Sequence, residues 1–191
     1  MNTHNQRRTR GPIPAELRPE QVTAIVDTRE QVPLDLQPLR TITGTLATGD
    51  YSVVGLESVV ALERKSLPDL LCCVGRQRER FDREVMRLLA YPTRALLVEA
   101  SWADIEQGEW RSEVTTQAAL GSLLGWIASG LPVVMAGDHR RAGRYAARIL
   151  YTAARRRWRE ARALVTSADV AVAAARMHGD GRTAAGSIGD T

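Results

Sequence analysis

Cysteine and histidine, the residues that form disulfide bonds and many metal sites, are scarce in this 191-residue chain. Its two cysteines, Cys72 and Cys73, are neighbours in an apolar run, and adjacent cysteines rarely form an unstrained bridge, so no disulfide framework is expected. Three histidines lack the spacing of metal ligands, and we assign none of them to a site. No apolar run approaches the roughly 18 residues of a membrane span, and the polar N-terminus is unlike a signal peptide. We therefore expect a cytoplasmic protein that is not embedded in a membrane.

Lysine is almost absent, because only Lys65 among the 26 basic residues is a lysine. In a chain that otherwise uses arginine for positive charge, one retained lysine indicates a position that needs a compact ammonium group rather than a planar guanidinium. A carboxylate, Glu63, stands two residues earlier, at the end of an apolar run. The pair marks this position as a candidate site.

The positive charge is concentrated late in the chain. The net charge is +4, and residues 138–162 contain nine arginines against Asp138 and Glu160, formally 9 − 2 = +7, which leaves 4 − 7 = −3 for the rest. Such a focused charge favours an anionic partner. The 44% hydrophobic content is sufficient for a core, and the 5% aromatic content indicates that this core is mainly aliphatic.

The distribution of apolar residues predicts one α/β domain between two polar ends. Residues 1–20 contain three prolines and several arginines and are expected to be a disordered arm, while residues 165–191, rich in small residues, are expected to be largely disordered. Within residues 21–164, β-branched runs predict strands near 22–26, 41–45, 49–54, 58–63, 95–99 and 131–135. Helical spacing predicts helices near 66–74, 77–90, 102–108, 115–129 and 138–164. This order is typical of a mixed sheet flanked by helices.

Three acidic residues, Asp27, Asp50 and Glu63, stand at the ends of predicted strands. Strand ends at one edge of a sheet can converge on a common cleft, and carboxylates without histidine or cysteine suit Mg²⁺ or Mn²⁺. Glu63 and Lys65 are two residues apart in a strand, so their side chains project from the same face. A metal ion held by Asp50 and Glu63 would then activate a water molecule that Lys65 positions or helps to deprotonate.

These acids belong to a longer pattern, which reads Asp27-x-Arg29-Glu30, then Gly49-Asp50, then Glu63-Arg64-Lys65-x-x-x-Asp69. In this order the pattern resembles the nuclease domain of the XPF family, and the resemblance extends more loosely over about residues 22–160. It implies a restriction-endonuclease-like fold of the PD-(D/E)xK superfamily. It also implies a Mg²⁺- or Mn²⁺-dependent DNA endonuclease that selects flap, fork or junction DNA.

The resemblance also implies roles for individual residues. Asp27, Asp50, Glu63 and Lys65 would form the catalytic centre, with Asp50 and Glu63 as metal ligands. Asp27 and the main-chain carbonyl of Arg64 would add to the metal environment, while Arg29, Glu30 and Asp69 would support the site. Ser66 and Asp69 additionally have the spacing of an N-terminal helix cap.

Two groups of arginines are candidate DNA contacts, namely Arg76, Arg78, Arg80 and Arg83, and Arg155, Arg156, Arg157 and Arg159. Guanidinium groups on a helix would contact phosphates without reading the base sequence, and such binding weakens steeply with salt. For the first group the alternative is a solvated helix start. For the second, the alternatives are a solvated helix face or a dimer interface.

Other functions remain open from the sequence. A DNA-binding module could keep the nuclease fold without turnover, although the retention of every expected acid argues against it. A restriction-type or junction-resolving nuclease could share the fold. No tandem helix-hairpin-helix pattern follows residue 165, which is a departure from many members of the family and bears against their usual dimer. A homodimer or a partner that carries such a domain is the alternative source of DNA contacts. We expect a bacterial or phage-encoded, nucleoid-associated protein of DNA repair, recombination or mobile-element DNA processing.

Overall fold

A computed structural model describes residues 14–179 and the side chains of residues 14–171. Most of the predicted N-terminal arm and the end of the predicted tail therefore lie outside the described residues. The chain divides into two compact units. The larger unit is Arg18–Ala154, and the described parts of the smaller unit are residues 14–17 and 155–179.

Six strands form one mixed sheet in the order β2-β1-β3-β4-β5-β6. They are β1 (Thr23–Asp27), β2 (Arg40–Gly44), β3 (Tyr51–Val53), β4 (Val60–Lys65), β5 (Thr93–Val98) and β6 (Val133–Met135). Strand β1 is parallel to β2, β3 is antiparallel to both β1 and β4, and β4, β5 and β6 are mutually parallel. The predicted mixed sheet is confirmed.

The helices are α1 (Leu67–Val74), α2 (Arg78–Leu89), α3 (Trp102–Gln107), α4 (Thr116–Ala128) and α5 (His139–Gly179), and a 3₁₀ turn, Pro19–Gln21, precedes β1. Helix α5 was expected to end near Leu164 and instead continues to Gly179. No proline or glycine interrupts residues 144–178, and alanine, which is frequent after residue 165, has the highest helix propensity. Across residues 14–179, no helix combines the length and the apolar character needed to cross a bilayer.

The sheet topology brings several strand ends to one edge. Because β3 is antiparallel to both neighbours, β1 and β4 run in the same direction, together with β5 and β6. The carboxyl ends of these four strands and the amino end of β3 therefore meet at the same edge. Asp27, Asp50 and Glu63 all lie at or beside that edge, so the expected convergence of strand ends is a property of the topology.

The main apolar cluster packs one face of the sheet against α1, α2 and α4. Leu96 and Val98 of β5 contribute to this cluster, and Phe81 of α2 contacts Trp126 of α4 edge-to-face with ring centroids 4.9 Å apart. Ala61 of β4 belongs to the same cluster. Since side chains alternate along a strand, Glu63 and Lys65 share the face of Ala61, beneath the helices.

The packing of α5 gives a stability prediction for Gly143. A Cβ atom at position 143 would lie 2.5 Å from the main-chain oxygen of Asp35, in the loop between β1 and β2. Gly143→Ala should therefore lower the free energy of unfolding by about 1–3 kcal/mol, as measured by chemical denaturation. The matched control is Gly125→Ala in α4, where nothing lies within 4 Å of the added Cβ. That change should stabilise by about 0.5–1 kcal/mol, and a similar effect at both glycines would contradict the close contact.

Candidate active site

Asp50 is fixed by its main chain on both sides. Its N–H group donates to the Leu62 carbonyl at 2.7 Å, and its carbonyl accepts from the Asp27 N–H group at 2.8 Å. Its carboxylate accepts a third hydrogen bond, at 2.8 Å, from the main-chain N–H group of Arg64. These contacts hold the carboxylate against the carboxyl end of β4, beside Glu63.

Gly49 permits this arrangement. Its φ angle is 78°, in the left-handed region, and a Cβ atom there would lie 2.8 Å from the carbonyl oxygen of Leu62. A side chain would thus be strained by the backbone conformation and would also collide with β4. The Gly49-Asp50 pair of the sequence pattern consequently has a direct physical basis, because the glycine lets the aspartate reach the strand.

Glu63 and Lys65 project together into the same region. The Glu63 side chain is 2% exposed, and its Oε1 accepts a hydrogen bond from the Lys65 ammonium group. Lys65 Nζ also lies 5.4 Å from the centroid of the Phe81 ring, a cation–π contact that helps to hold the ammonium group in place. Glu63 Oε2 is buried and has no hydrogen-bond partner within the described part of the chain.

The positive charge near Asp50 and Glu63 is too small to offset the burial of their carboxylates. Burial, followed by the nearby Asp50, raises the pKa of Glu63 to about 8, although Lys65 opposes the shift. Burial likewise raises the pKa of Asp50 to about 6, and the Arg64 amide and Lys65 only partly offset it. Raised carboxylate pKa values and an unpaired buried oxygen are the features of a site that a cation would complete.

The donor chemistry fits Mg²⁺ or Mn²⁺. Asp50 and Glu63 offer carboxylate oxygens, and the Arg64 carbonyl lies 3.4 Å from Lys65 Nζ, beside them. Hard oxygen donors suit these ions, which often keep several waters and use only one or two protein carboxylates. Among the side chains of residues 14–171, no group of three or more histidine, cysteine, aspartate or glutamate residues could hold a metal ion.

Asp27, which was expected to contribute to the metal environment, is held by neighbouring protein groups. Its side chain is fully buried, and both oxygens are already engaged. Oδ1 accepts from the main chain and from Nε of Arg29, at 2.9 and 2.6 Å, and Oδ2 accepts from Nη2 of Arg29 and from the Leu46 N–H group, at 3.1 and 2.7 Å. Burial alone would raise the pKa of Asp27, but these hydrogen bonds lower it below its ordinary value. Asp27 therefore ties together the loops that follow β1 and β2.

Glu30 and Asp69, the other residues expected to support the site, make contacts in different parts of the structure. Glu30 Oε1 lies 3.3 Å from Nη1 of Arg64, and Glu30 Oε2 accepts from the Tyr51 hydroxyl at 3.4 Å. Ser66 caps α1 by accepting from the Asp69 N–H group at 3.3 Å, and its hydroxyl donates to the Asp69 carboxylate at 2.6 Å. The predicted cap is confirmed, so Asp69 orients the helix that leaves the site.

One acidic neighbour of the site was not anticipated. Burial is the main reason for the raised pKa values of Asp50 and Glu63, but Glu84 on α2 adds to both shifts. Glu84 lies three residues after the buried Phe81 and one before the buried Val85. The helical spacing of those apolar residues was a signal that position 84 would turn toward the sheet.

The two arginine groups lie in different units. Arg76, Arg78, Arg80 and Arg83 are exposed on the larger unit at the start of α2, where Nη1 of Arg78 donates to the Ser122 hydroxyl at 3.0 Å. In the smaller unit, Arg156 and Arg157 contact Glu160 at 3.1 and 2.9 Å, and Arg159 is exposed. Both groups thus present guanidinium groups to solvent.

A carboxylate pair at the edge of a mixed sheet, with a lysine two residues after the second acid, is the arrangement that the resemblance to restriction-endonuclease-like nuclease domains led us to expect. A family model described as the ERCC4 domain matches residues 20–149. The chain belongs to the ERCC4 domain family, the family of XPF-type nuclease domains.

Solved structures of similar fold include XPF from Aeropyrum pernix and the same protein in complex with DNA. Each has a TM-score of 0.57 and 18% sequence identity over 70% of this chain. The chain spans 66% and 65% of the length of those two chains. At this identity the likeness shows the fold, and no curated protein sequence matches the chain.

Substitution by alanine should destabilise the protein more at Gly49 than at Gly55, a second turn glycine. Gly49→Ala and Gly55→Ala both place alanine at a positive φ angle, which costs about 1–2 kcal/mol. Only Gly49→Ala also collides with a main-chain oxygen, whereas nothing lies within 4 Å of a Cβ at Gly55. Gly49→Ala should therefore cost a further 1–3 kcal/mol or so in urea denaturation. Equal losses would show that β3 relaxes away from β4 without penalty.

Proposed function

We propose that the chain is a Mg²⁺- or Mn²⁺-dependent DNA endonuclease that hydrolyses phosphodiester bonds. The observation that supports this most directly is the buried Asp50–Glu63 pair, with one Glu63 oxygen unpaired, beside the only lysine of the chain. Membership of the ERCC4 domain family supports the same chemistry. The DNA complex of the similar A. pernix protein supports DNA as the ligand.

The proposal assigns a role to each residue of the candidate site. Asp50, Glu63 and the Arg64 carbonyl would hold the metal ion. When bound, the ion would neutralise charge on the phosphodiester and lower the pKa of a water molecule. Asp27 and Arg29 would keep the neighbouring loops closed around the site, while Glu30 and Asp69 would fix the strand and helix on either side of it.

Lys65 would act as a charged hydrogen-bond donor. Burial alone would lower the pKa of Lys65, but Glu63 and Asp50 raise it above its ordinary value, so the side chain is an ammonium group at neutral pH. One of its hydrogens is directed at Glu63. A second is directed toward the Arg64 carbonyl, 3.4 Å from Nζ. The third would orient the attacking water or stabilise charge on a phosphate oxygen.

Branched DNA is the substrate class that we propose, in repair, recombination or mobile-element DNA processing. The XPF-type domain supports this choice. A homodimer or a partner with a helix-hairpin-helix domain would supply further DNA contacts. We also propose residues 21–164 as the nuclease domain, which contains most of the family match at residues 20–149.

Asp50→Asn should abolish cleavage without unfolding the protein. Asparagine keeps an oxygen for the Arg64 N–H group but removes the charge that would bind the metal ion, so we expect a loss on the order of 100-fold or more. The assay uses labelled flap, fork, Holliday-junction and linear duplex DNA with Mg²⁺, Mn²⁺ or EDTA. Thermal unfolding of the variant checks that its fold is intact.

The same assay separates the alternatives. DNA binding without cleavage by the wild-type protein, in either metal and on all four substrates, would favour a non-catalytic module. Cleavage that persists in EDTA would contradict the metal site. Cleavage restricted to junctions or to linear duplex would instead favour a junction-resolving or a restriction-type nuclease.

Lys65→Arg should also abolish cleavage while DNA binding remains. The Lys65 side chain is 16% exposed and is confined between Glu63 and the Phe81 ring, where a planar guanidinium group cannot take the position of the ammonium group. The measurement is single-turnover cleavage beside an equilibrium binding assay. Wild-type cleavage by this variant would show that a positive charge alone suffices at position 65.

Replacement of Arg155, Arg156, Arg157 and Arg159 by glutamine should weaken DNA binding. Each arginine that contacts a phosphate contributes about one unit to the slope of log affinity against log salt, so the slope should become shallower. The same four-residue replacement at Arg76, Arg78, Arg80 and Arg83 tests the other group. Arg40→Gln is the control, because Arg40 begins β2 at the edge of the sheet opposite the site. An unchanged slope would show that this arginine group does not contact DNA phosphates and is instead a solvated helix face or a protein interface.

A further inference from the structure

Arg64 lies between the site residues Glu63 and Lys65, and its side chain projects from the opposite face of β4. There its guanidinium group meets Glu99, which directly follows β5. Nε of Arg64 donates to Glu99 Oε1 at 2.7 Å and Nη2 donates to Glu99 Oε2 at 3.0 Å. The two side chains are 11% and 10% exposed, so this is a partly buried bidentate ion pair, a geometry that restricts both partners.

His139, the first residue of α5, contacts the same carboxylate. Its Nδ1 lies 2.6 Å from Glu99 Oε1, the oxygen that also accepts from Nε of Arg64. The His139 side chain is 41% exposed and Glu99 is 10% exposed, so the contact joins a residue near the surface to a largely buried carboxylate. We refer to Arg64, Glu99 and His139 as the Arg64 buttress.

The Arg64 buttress is connected to the carboxylate pair through main-chain atoms. The Arg64 N–H group donates to Asp50 Oδ2 at 2.8 Å, and the Arg64 carbonyl faces Lys65 Nζ. The Glu99 N–H group donates to the Lys65 carbonyl at 2.9 Å. Strand β4 ends at Lys65, and a strand end frays unless it is held. The buttress thus restrains β4 at the point where its main chain contacts the site.

We propose that Glu99 and His139 are positioning residues that set the orientation of the Asp50 carboxylate through Arg64. Their effect on cleavage rests on the proposed nuclease function, whereas their effect on the Arg64–Asp50 hydrogen bond does not. Without Glu99, the Arg64 side chain loses its bidentate partner. The Arg64 main chain, whose N–H group donates to Asp50, then becomes more mobile. Outer partners of metal ligands commonly act in this way, by fixing the geometry of groups that touch the metal ion.

Three variants test the proposal. His139→Leu removes the ring nitrogen, while His139→Asn retains a donor near the position of Nδ1 and serves as the matched control. Glu99→Gln keeps the shape of the side chain but removes the charge that holds Arg64. His139→Leu and Glu99→Gln should each weaken Mn²⁺ binding by about 10-fold in calorimetry of the DNA-free protein. His139→Asn should bind Mn²⁺ as the wild type does.

Turnover provides a second readout. In His139→Leu and Glu99→Gln, kcat should fall by about 10-fold while KM for DNA stays unchanged, because neither side chain is proposed to contact the substrate. His139→Asn should restore kcat. A rise in KM with unchanged kcat would instead make these residues DNA contacts and would overturn the proposal.

The Arg64 amide resonance in a ¹H–¹⁵N spectrum, recorded without metal or DNA, provides a readout that needs no activity. Its shift and its hydrogen-exchange rate should change in His139→Leu and Glu99→Gln but not in His139→Asn. If the wild type cleaves no DNA, the proposed function fails, and this spectrum still tests the positioning role. An unchanged Arg64 amide together with unchanged Mn²⁺ affinity would overturn the inference, even if the variants were less stable to heat.

Discussion

The contact between Gly49 and the main chain of Leu62 is the constraint on which the geometry of the site depends. Because no side chain intervenes, the Asp50 N–H group reaches the Leu62 carbonyl, and the Asp50 carbonyl remains available to β1. Asp50 thereby joins β4 to β1, the two strands on either side of β3. The same contact directs the Asp50 carboxylate to the end of β4, so the fold and the candidate site depend on the same short stretch of main chain.

The arrangement has a cost in stability that is typical of functional sites. Burying two carboxylates close together disfavours their charged forms, and a single lysine offsets only part of that penalty. A sequence selected for stability alone would place a neutral side chain at one of these positions. The two acids therefore form a site that a positively charged ligand would stabilise.

Sequence patterns predicted those features that depend on local order. Alternation along β4 places Glu63 and Lys65 on one face, the spacing of Ser66 and Asp69 gives the cap of α1, and β-branched runs locate the strands within a few residues. Each of these signals lies within one element or its immediate border. They also carry the family resemblance, which is why the mixed sheet could be anticipated.

Contacts between distant parts of the chain could not be predicted in this way. The engagement of Asp27 depends on the Leu46 amide, 19 positions later, and the Arg64 buttress joins residues 35 and 40 positions apart. Neither contact leaves a periodic signal in the sequence, because both arise only when the sheet has assembled. Helix α5 exceeded its expected length for the opposite reason, since alanine propensity sustains a helix without bulky side chains.

Side chains alternate between the two faces of β4, so the number of residues in the strand determines which side chains reach the candidate site. Glu63 and Lys65 lie on one face while Arg64 lies on the other, so the insertion or deletion of a single residue within β4 before Glu63 would exchange the two faces along the rest of the strand. The guanidinium group would then enter the region of the carboxylate pair, and an acid would face Glu99. The turn around Gly55, where a Cβ atom would meet nothing within 4 Å, imposes no such restriction. A change in length between β3 and β4 can accordingly be accommodated in that turn, whereas the spacing from Leu62 to Lys65 cannot change without exchanging the faces.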